Sequence, residues 1–184
     1  TNPTSPYSVS KLAFDQHLIA MHKIKGLPMN IIRPSNCITP GQQLHRIVPK
    51  ALIAGLTRRE LPLHGGGAAR KSYLHATDLS RAVMRVIKEG TMGEIYNVGP
   101  DEPVTIRNLV GICLDACGGS WDELVEMSAE RTGQDSCYWL DSSKIKSLGW
   151  VREIGLRDGV EMILRWIKAY PELLEMDTSF TMRA

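Results

Sequence analysis

Short apolar runs alternate with capped helical stretches along this chain, and that alternation constrains its architecture more than any other feature. Ser5 stands where a helix cap belongs, and Pro6 suits a first helical turn because its fixed φ is already helical. Residues 7–25 carry helical periodicity and stop at Gly26. Residues 29–32 read as a short buried strand ending in a loop at Arg33 and Pro34. A second helix is predicted within "RIVPKALIAGL", then a short strand and a glycine-rich turn in "ELPLHGGG". A strand at residues 72–75 leads to Thr77 or Asp78 as N-cap, and the amphipathic helix that follows is closed by Gly90. "GEIYNVG" gives a further strand, and Thr105 caps the helix of "VTIRNLVGICLDACGG". "CYWLDSSKIKSLGW" gives a strand, a cap at Asp141 or Ser142 and a short helix. "GLRDGVEMILRWIKAYP" is a final amphipathic helix. Strands alternating with helices predict an α/β architecture with a mostly parallel sheet.

The 184 residues suit one domain or a large part of one, and 43% hydrophobic content is enough for a core. A net charge of +2 is too weak to argue for a nucleic-acid partner, and no polybasic run is present. No apolar run reaches membrane-spanning length, and no signal peptide is visible, so no membrane association is expected. Cys37, Cys113, Cys117 and Cys137 form no CxxC pair and no zinc spacing with histidine; they read as reduced thiols of a cytoplasmic protein. The chain begins at Thr1 rather than Met, so preceding sequence is expected.

Tyr7 and Lys11 stand four residues apart on the first predicted helix, hence on one face. A lysine ammonium beside a tyrosine phenol favours the phenolate, which can take or give a proton near neutral pH. Oxidation of a sugar hydroxyl to a ketone needs such a base. By itself the spacing recurs in many surface helices, and there it marks only a solvated lysine.

The surroundings change that reading. "SPYSVSK", "RPSNCITPG", "LPLHGGGAARKSYLHATDLSRAV", "GEIYNVG" and "ERTGQD" follow one another in an order that resembles the C-terminal half of the extended short-chain dehydrogenase/reductases, and within them the nucleotide-sugar 4,6-dehydratase/epimerase group. The resemblance runs from Tyr7 to about Trp166. It implies the C-terminal half of a doubly wound Rossmann-type fold plus a small α/β substrate-binding domain. Residues 1–60 would form the second half of the NAD-binding domain, and residues 61–184 mostly the substrate-binding part, with 72–90 returning to the Rossmann sheet. The glycine-rich dinucleotide fingerprint belongs to the half upstream. Gly65, Gly66 and Gly67 lack its spacing and are expected to form a mobile turn.

The resemblance also assigns roles. Tyr7 would be the catalytic base, and Lys11 its electrostatic partner and a ligand of the nicotinamide ribose. Pro34, Ser35 and Asn36 would pass the nicotinamide of NAD, with Asn36 also reaching the substrate. Arg46 with Ile47, Leu63 through its segment's backbone, Lys71 and Arg131 would bind a nucleotide-diphospho-sugar. The group usually carries arginine where this chain has Lys71, and aspartate where it has Ser72. Lysine neutralises phosphate only as a point charge. The loop continuing as Cys37-Ile38-Thr39-Pro40 is atypical of the group.

His64 and His75 lack partners at ligand spacing, so no metal is expected, and Trp139, Trp150 and Trp166 read as core or anchoring aromatics. Dehydratase and epimerase activities remain open, because the deciding acid and base would lie upstream. A non-catalytic dinucleotide-binding relative is the reading from another class. Phe14, Leu18 and Met21 form a second apolar stripe on the first helix, and relatives pair this helix in a homodimer.

Overall fold

The structure is a computed structural model that describes Pro3 and residues 5–129 and 136–179. Helix α1 (Pro6–Lys25) starts where its cap chemistry says it should: the Ser5 hydroxyl accepts from the Ser8 amide at 3.2 Å. It stops at Gly26, whose φ of 67° lets its amide close back on His22. No residue of this twenty-residue helix is buried.

Strand β1 (Ile31–Pro34) begins later than its apolar run suggested and takes in Arg33 and Pro34, which were expected in a loop. The reason is tertiary: β6 (Ile95–Val98) pairs with it in parallel and supplies Asn97 and Val98 as partners for those two residues. The strand breaks at Ser35, and the chain continues as β2 (Asn36–Ile38), another stretch expected to be loop. Asn36, Cys37 and Ile38 pair in parallel with Tyr73, Leu74 and His75 of β5 (Tyr73–His75).

Helix α2 (Ile47–Thr57) follows with Arg46 at its N-cap position. Strand β3 (Leu61–His64) alternates buried and exposed residues and pairs in parallel with β8 (Val125–Ser128). The three glycines after it were expected to form a mobile turn; they form a 3₁₀ turn with φ of 55°, 61° and 70° at Gly65, Gly66 and Gly67, of which Gly65 is exposed and Gly67 buried. Gly67 is buried so tightly that a Cβ there would sit 2.7 Å from the Arg107 amide nitrogen. Strand β4 (Arg70–Lys71) pairs antiparallel with β7 (Val104–Thr105) and parallel with β9 (Cys137–Tyr138). Ser72 alone separates it from β5, just as Ser35 alone separates β1 from β2.

Helix α3 (Ala76–Glu89) is capped by His75, whose Nδ1 accepts from the Thr77 amide at 3.2 Å; neither Thr77 nor Asp78 is the cap. Asp78 is instead fully buried, and its carboxylate accepts from the amides of Glu153 and Ile154 at 3.2 and 3.0 Å. Thr105 caps α4 (Ile106–Cys117) as predicted, its hydroxyl accepting from Asn108. The short helix α5 (Trp121–Leu124) and β8 were not foreseen. Helices α6 (Ser143–Ser147) and α7 (Leu156–Ala169) follow, and a 3₁₀ turn (Pro171–Leu174) completes the order.

Two apolar clusters hold the elements. One gathers Leu52 and Ile53 of α2, Leu61 of β3, Leu109 and Cys113 of α4 and Ile163 of α7. The other gathers Leu74, Val86, Tyr96, Val98, Ile145 and Trp150 around β5, β6 and α3. Among the described residues no helix is long and apolar enough to cross a membrane.

Candidate active site

Two contacts, one steric and one ionic, fix how α1 lies along the sheet. At its C-terminal end His22 packs against Gly93, so closely that a Cβ on Gly93 would fall 2.3 Å from His22 Nε2. Gly93 in turn donates to the Met29 carbonyl, just before β1. One helical stretch back, Asp15 meets Arg33 near the end of β1, at 2.6 and 2.8 Å. The helix therefore runs antiparallel to β1. At about 1.5 Å per residue, Lys11 and Tyr7 lie roughly 6 and 12 Å beyond Asp15 along the axis. They overrun the C-terminal end of β1, where open α/β sheets place their ligands.

Lys11 and Tyr7 share a face as their spacing requires, with the ammonium 5.5 Å from the centre of the phenol ring. Tyr7 is 71% exposed, so its hydroxyl is accessible to a ligand.

Beyond β1 lies the second group. Ser35 is buried and its amide donates to the Val98 carbonyl at 2.8 Å, while its hydroxyl makes no hydrogen bond to the described residues. The Asn36 amide and its side-chain Nδ2 both donate to the Ser72 carbonyl, at 3.2 and 3.1 Å. That leaves Oδ1 as the acceptor with which Asn36 can meet a ligand. The Cys37 thiol contacts the Ser35 carbonyl at 3.7 Å, and burial pushes its pKa up, which disfavours the thiolate a nucleophile needs.

The remaining candidates are spread along the chain. Arg46 is exposed at the start of α2, and Ile47 packs half-buried on the larger core cluster. Leu63 is only 3% exposed over the whole residue and lies in the β3–β8 ladder opposite Met127, so it presents little surface to a ligand. Lys71 lies on β4 in register with Tyr138, next to the strand break at Ser72. Arg131 lies outside the described residues. Sequence reasoning passed over Tyr138, whose phenol donates to the Pro34 carbonyl at 3.2 Å, and the Asp15–Arg33 pair. Nothing local marks either one, because each partner is far off in sequence.

Residues 1–99 match the profile of the NAD-dependent epimerase/dehydratase family. A dTDP-glucose 4,6-dehydratase of Streptomyces griseus is 33% identical over 165 residues, covering 89% of this chain and 50% of that protein. A trifunctional UDP-glucose 4,6-dehydratase, 3,5-epimerase and reductase of Arabidopsis thaliana is 30% identical over 173 residues, but the match takes in only 26% of its length. Among solved structures, the dTDP-glucose 4,6-dehydratase of Streptomyces venezuelae, determined with NAD bound, superposes with a TM-score of 0.86 at 34% identity. That superposition covers 93% of this chain and 53% of the other. The chain thus spans about half or less of the relatives it matches.

Proposed function

The chain belongs to the NAD-dependent epimerase/dehydratase family, and on that premise we propose that it carries the Tyr–Lys half of a nucleotide-diphospho-sugar 4,6-dehydratase. The observation that carries the reading is the placement of Tyr7 and Lys11 on the turns of α1 that overrun the end of β1, where Pro34, Ser35 and Asn36 wait.

The Tyr7 oxygen takes the proton of the sugar 4-hydroxyl, and the Lys11 ammonium over the ring stabilises the negative charge on the phenol. Lys11 and the buried Ser35 hydroxyl, with Pro34 and Asn36, suit the nicotinamide-ribose end of NAD; the three glycines at 65–67 lack the dinucleotide fingerprint's spacing. When bound, NAD supplies the acceptor for the hydrogen on sugar C4. Asn36, Arg46, Ile47, the backbone at Leu63, Lys71 and Arg131 hold the nucleotide-diphospho-sugar. Residues 1–60 belong with the cofactor half, and residues 61–184 mostly with the substrate half. The protein works as a homodimer joined through α1, and a cytoplasmic setting suits its four thiols.

The test is to incubate the intact protein with NAD and either dTDP-glucose or UDP-glucose and assay the 4-keto-6-deoxy product by its absorbance in alkali. Product from one of them is expected, and it should vanish in Tyr7→Phe with the fold unchanged. Conversion to the galactose epimer without 4-keto product would assign the chain to the epimerases instead.

A further inference from the structure

Two strand breaks lie close to the candidate site residues, and both fall at buried serines. Ser35 separates β1 from β2, and Ser72 separates β4 from β5. Each break moves the chain from one pairing partner to another, from β6 to β5 in the first case. Serine often fixes local backbone with its own hydroxyl. Here neither hydroxyl makes a hydrogen bond to the described residues, so the breaks are held by other contacts.

The holding contacts form a closed circuit. The Tyr138 phenol donates to the Pro34 carbonyl at 3.2 Å, across 104 residues of sequence. The Tyr138 carbonyl accepts from the Ser72 amide at 3.1 Å. The Ser72 carbonyl accepts from the Asn36 amide and side chain, and the backbone runs from Asn36 back to Pro34. Tyr138 is thus bonded at both breaks, by its side chain to Pro34 beside one and by its backbone to Ser72 at the other. It also stands on β9 opposite Lys71, on the substrate-binding side of the proposed site.

We propose that Tyr138 is a positioning residue that fixes residues 34–36 relative to β4 and β9, so that the strand serving the sugar nucleotide sets where the backbone beside the nicotinamide lies. This rests on the dehydratase reading above. The phenol touches a carbonyl at the end of β1 and needs no contact with substrate to act. If it is removed, the Pro34 carbonyl loses that donor, and the break at Ser35 is left to the Asn36 and Val98 bonds, the Cys37 thiol contact and the flanking strand pairs. Residues 34–36 are then free to shift by a fraction of an ångström against Tyr7. Catalysis depends on such placement more steeply than substrate binding does, so kcat is affected and KM is largely spared.

Tyr138→Phe in the intact protein deletes one oxygen and keeps the ring. With dTDP-glucose or UDP-glucose, whichever is turned over, kcat should fall about tenfold while KM stays within about twofold. Backbone amide exchange at Asn36 should quicken in the same variant. Trp139→Phe, on the adjacent and half-exposed residue of the same segment, should leave both unchanged. A Tyr138→Phe protein with wild-type kcat and wild-type exchange at Asn36 overturns the proposal. So does a rise in KM at constant kcat, which would mark a substrate-gripping residue, or an equal loss in Trp139→Phe, which would mark general loosening. If the wild-type protein turns over neither sugar nucleotide, the functional reading fails by itself, and the exchange measurement still tests the circuit.

Discussion

Arg33 sets both its Nε and a terminal nitrogen on one oxygen of Asp15, at 2.8 and 2.6 Å, and so ties the exposed helix α1 to the end of β1. The side chains are only 33% and 18% exposed, which places the pair between a surface ion pair and a buried one. Asp15→Asn should lower stability by about 1–2 kcal/mol, the lost charge-assisted bond discounted for partial solvation. Its effect on turnover should be larger than that suggests, because Tyr7 and Lys11 hang on the part of the helix beyond this tie. Arg33→Lys should not reproduce the wild type, since an ammonium carries its donors on one nitrogen and cannot copy the guanidinium's planar fork. Denaturant midpoints and kcat, measured side by side on the two variants, check this.

His75 makes stability depend on pH. Its Nδ1 accepts the Thr77 amide that caps α3, which requires the ring to be unprotonated on that nitrogen. Burial lowers its pKa below the ordinary 6.5; nearby Asp78 opposes the shift and Arg81 adds to it. The folded state therefore binds the proton less readily than the unfolded chain. The contribution is fully present above pH 6.5 and is lost as pH falls below it. His75→Asn keeps a capping acceptor without an ionisable ring. Urea midpoints between pH 5 and 8 should fall on acidification in the wild type, and His75→Asn should show a shallower fall.

Local chemistry made the helices legible and left the site only half so. Ser5, Gly26 and Thr105 announce helix ends because a cap is settled by the residue and its next three or four neighbours. The i,i+4 relation of Tyr7 and Lys11 is likewise intrinsic to a helix. Strand β2 was hidden because Pro34, Ser35 and Asn36 carry turn chemistry, and only pairing with β5, more than thirty residues on, makes Asn36 to Ile38 a strand. Asp78 looked like a cap from its neighbours, whereas its partners are the amides of Glu153 and Ile154. Tyr138 and Pro34 belong to the same class of contact, visible only once the chain is folded.

Gly67 and Gly26 separate two costs that a glycine can hide. Both have φ near 70°, but a Cβ at Gly26 meets nothing within 4 Å, while at Gly67 it meets the Arg107 backbone at 2.7 Å. Gly26→Ala should cost about 1–2 kcal/mol, the left-handed backbone penalty alone. Gly67→Ala should cost about 2–5 kcal/mol, because the steric overlap with the start of α4 adds to that penalty. Chemical denaturation of the two variants measures the difference; equal losses would mean that the Gly65–Gly67 turn shifts away from α4 without cost.

The outer face of α1 makes the last prediction. The helix buries none of its twenty residues, and Phe14 and Ile24 are 59% and 75% exposed. Leu18 and Met21 continue the stripe from Phe14 and are half-buried, so the apolar face is only partly covered by the chain's own elements. Burying a phenylalanine or leucine is worth about 1.5–3 kcal/mol, enough for a stripe of such residues to favour a covered state strongly. In a homodimer joined through α1, Phe14 and Leu18 lie between the subunits. Replacing both with Asp would put two carboxylates into that contact, where desolvation opposes them. Light scattering on the intact protein should then give the mass of a monomer, with circular dichroism unchanged. A Phe14→Asp/Leu18→Asp protein that keeps dimer mass and wild-type turnover would place the dimer contact elsewhere, and a wild-type monomer would show that this face is covered within one subunit.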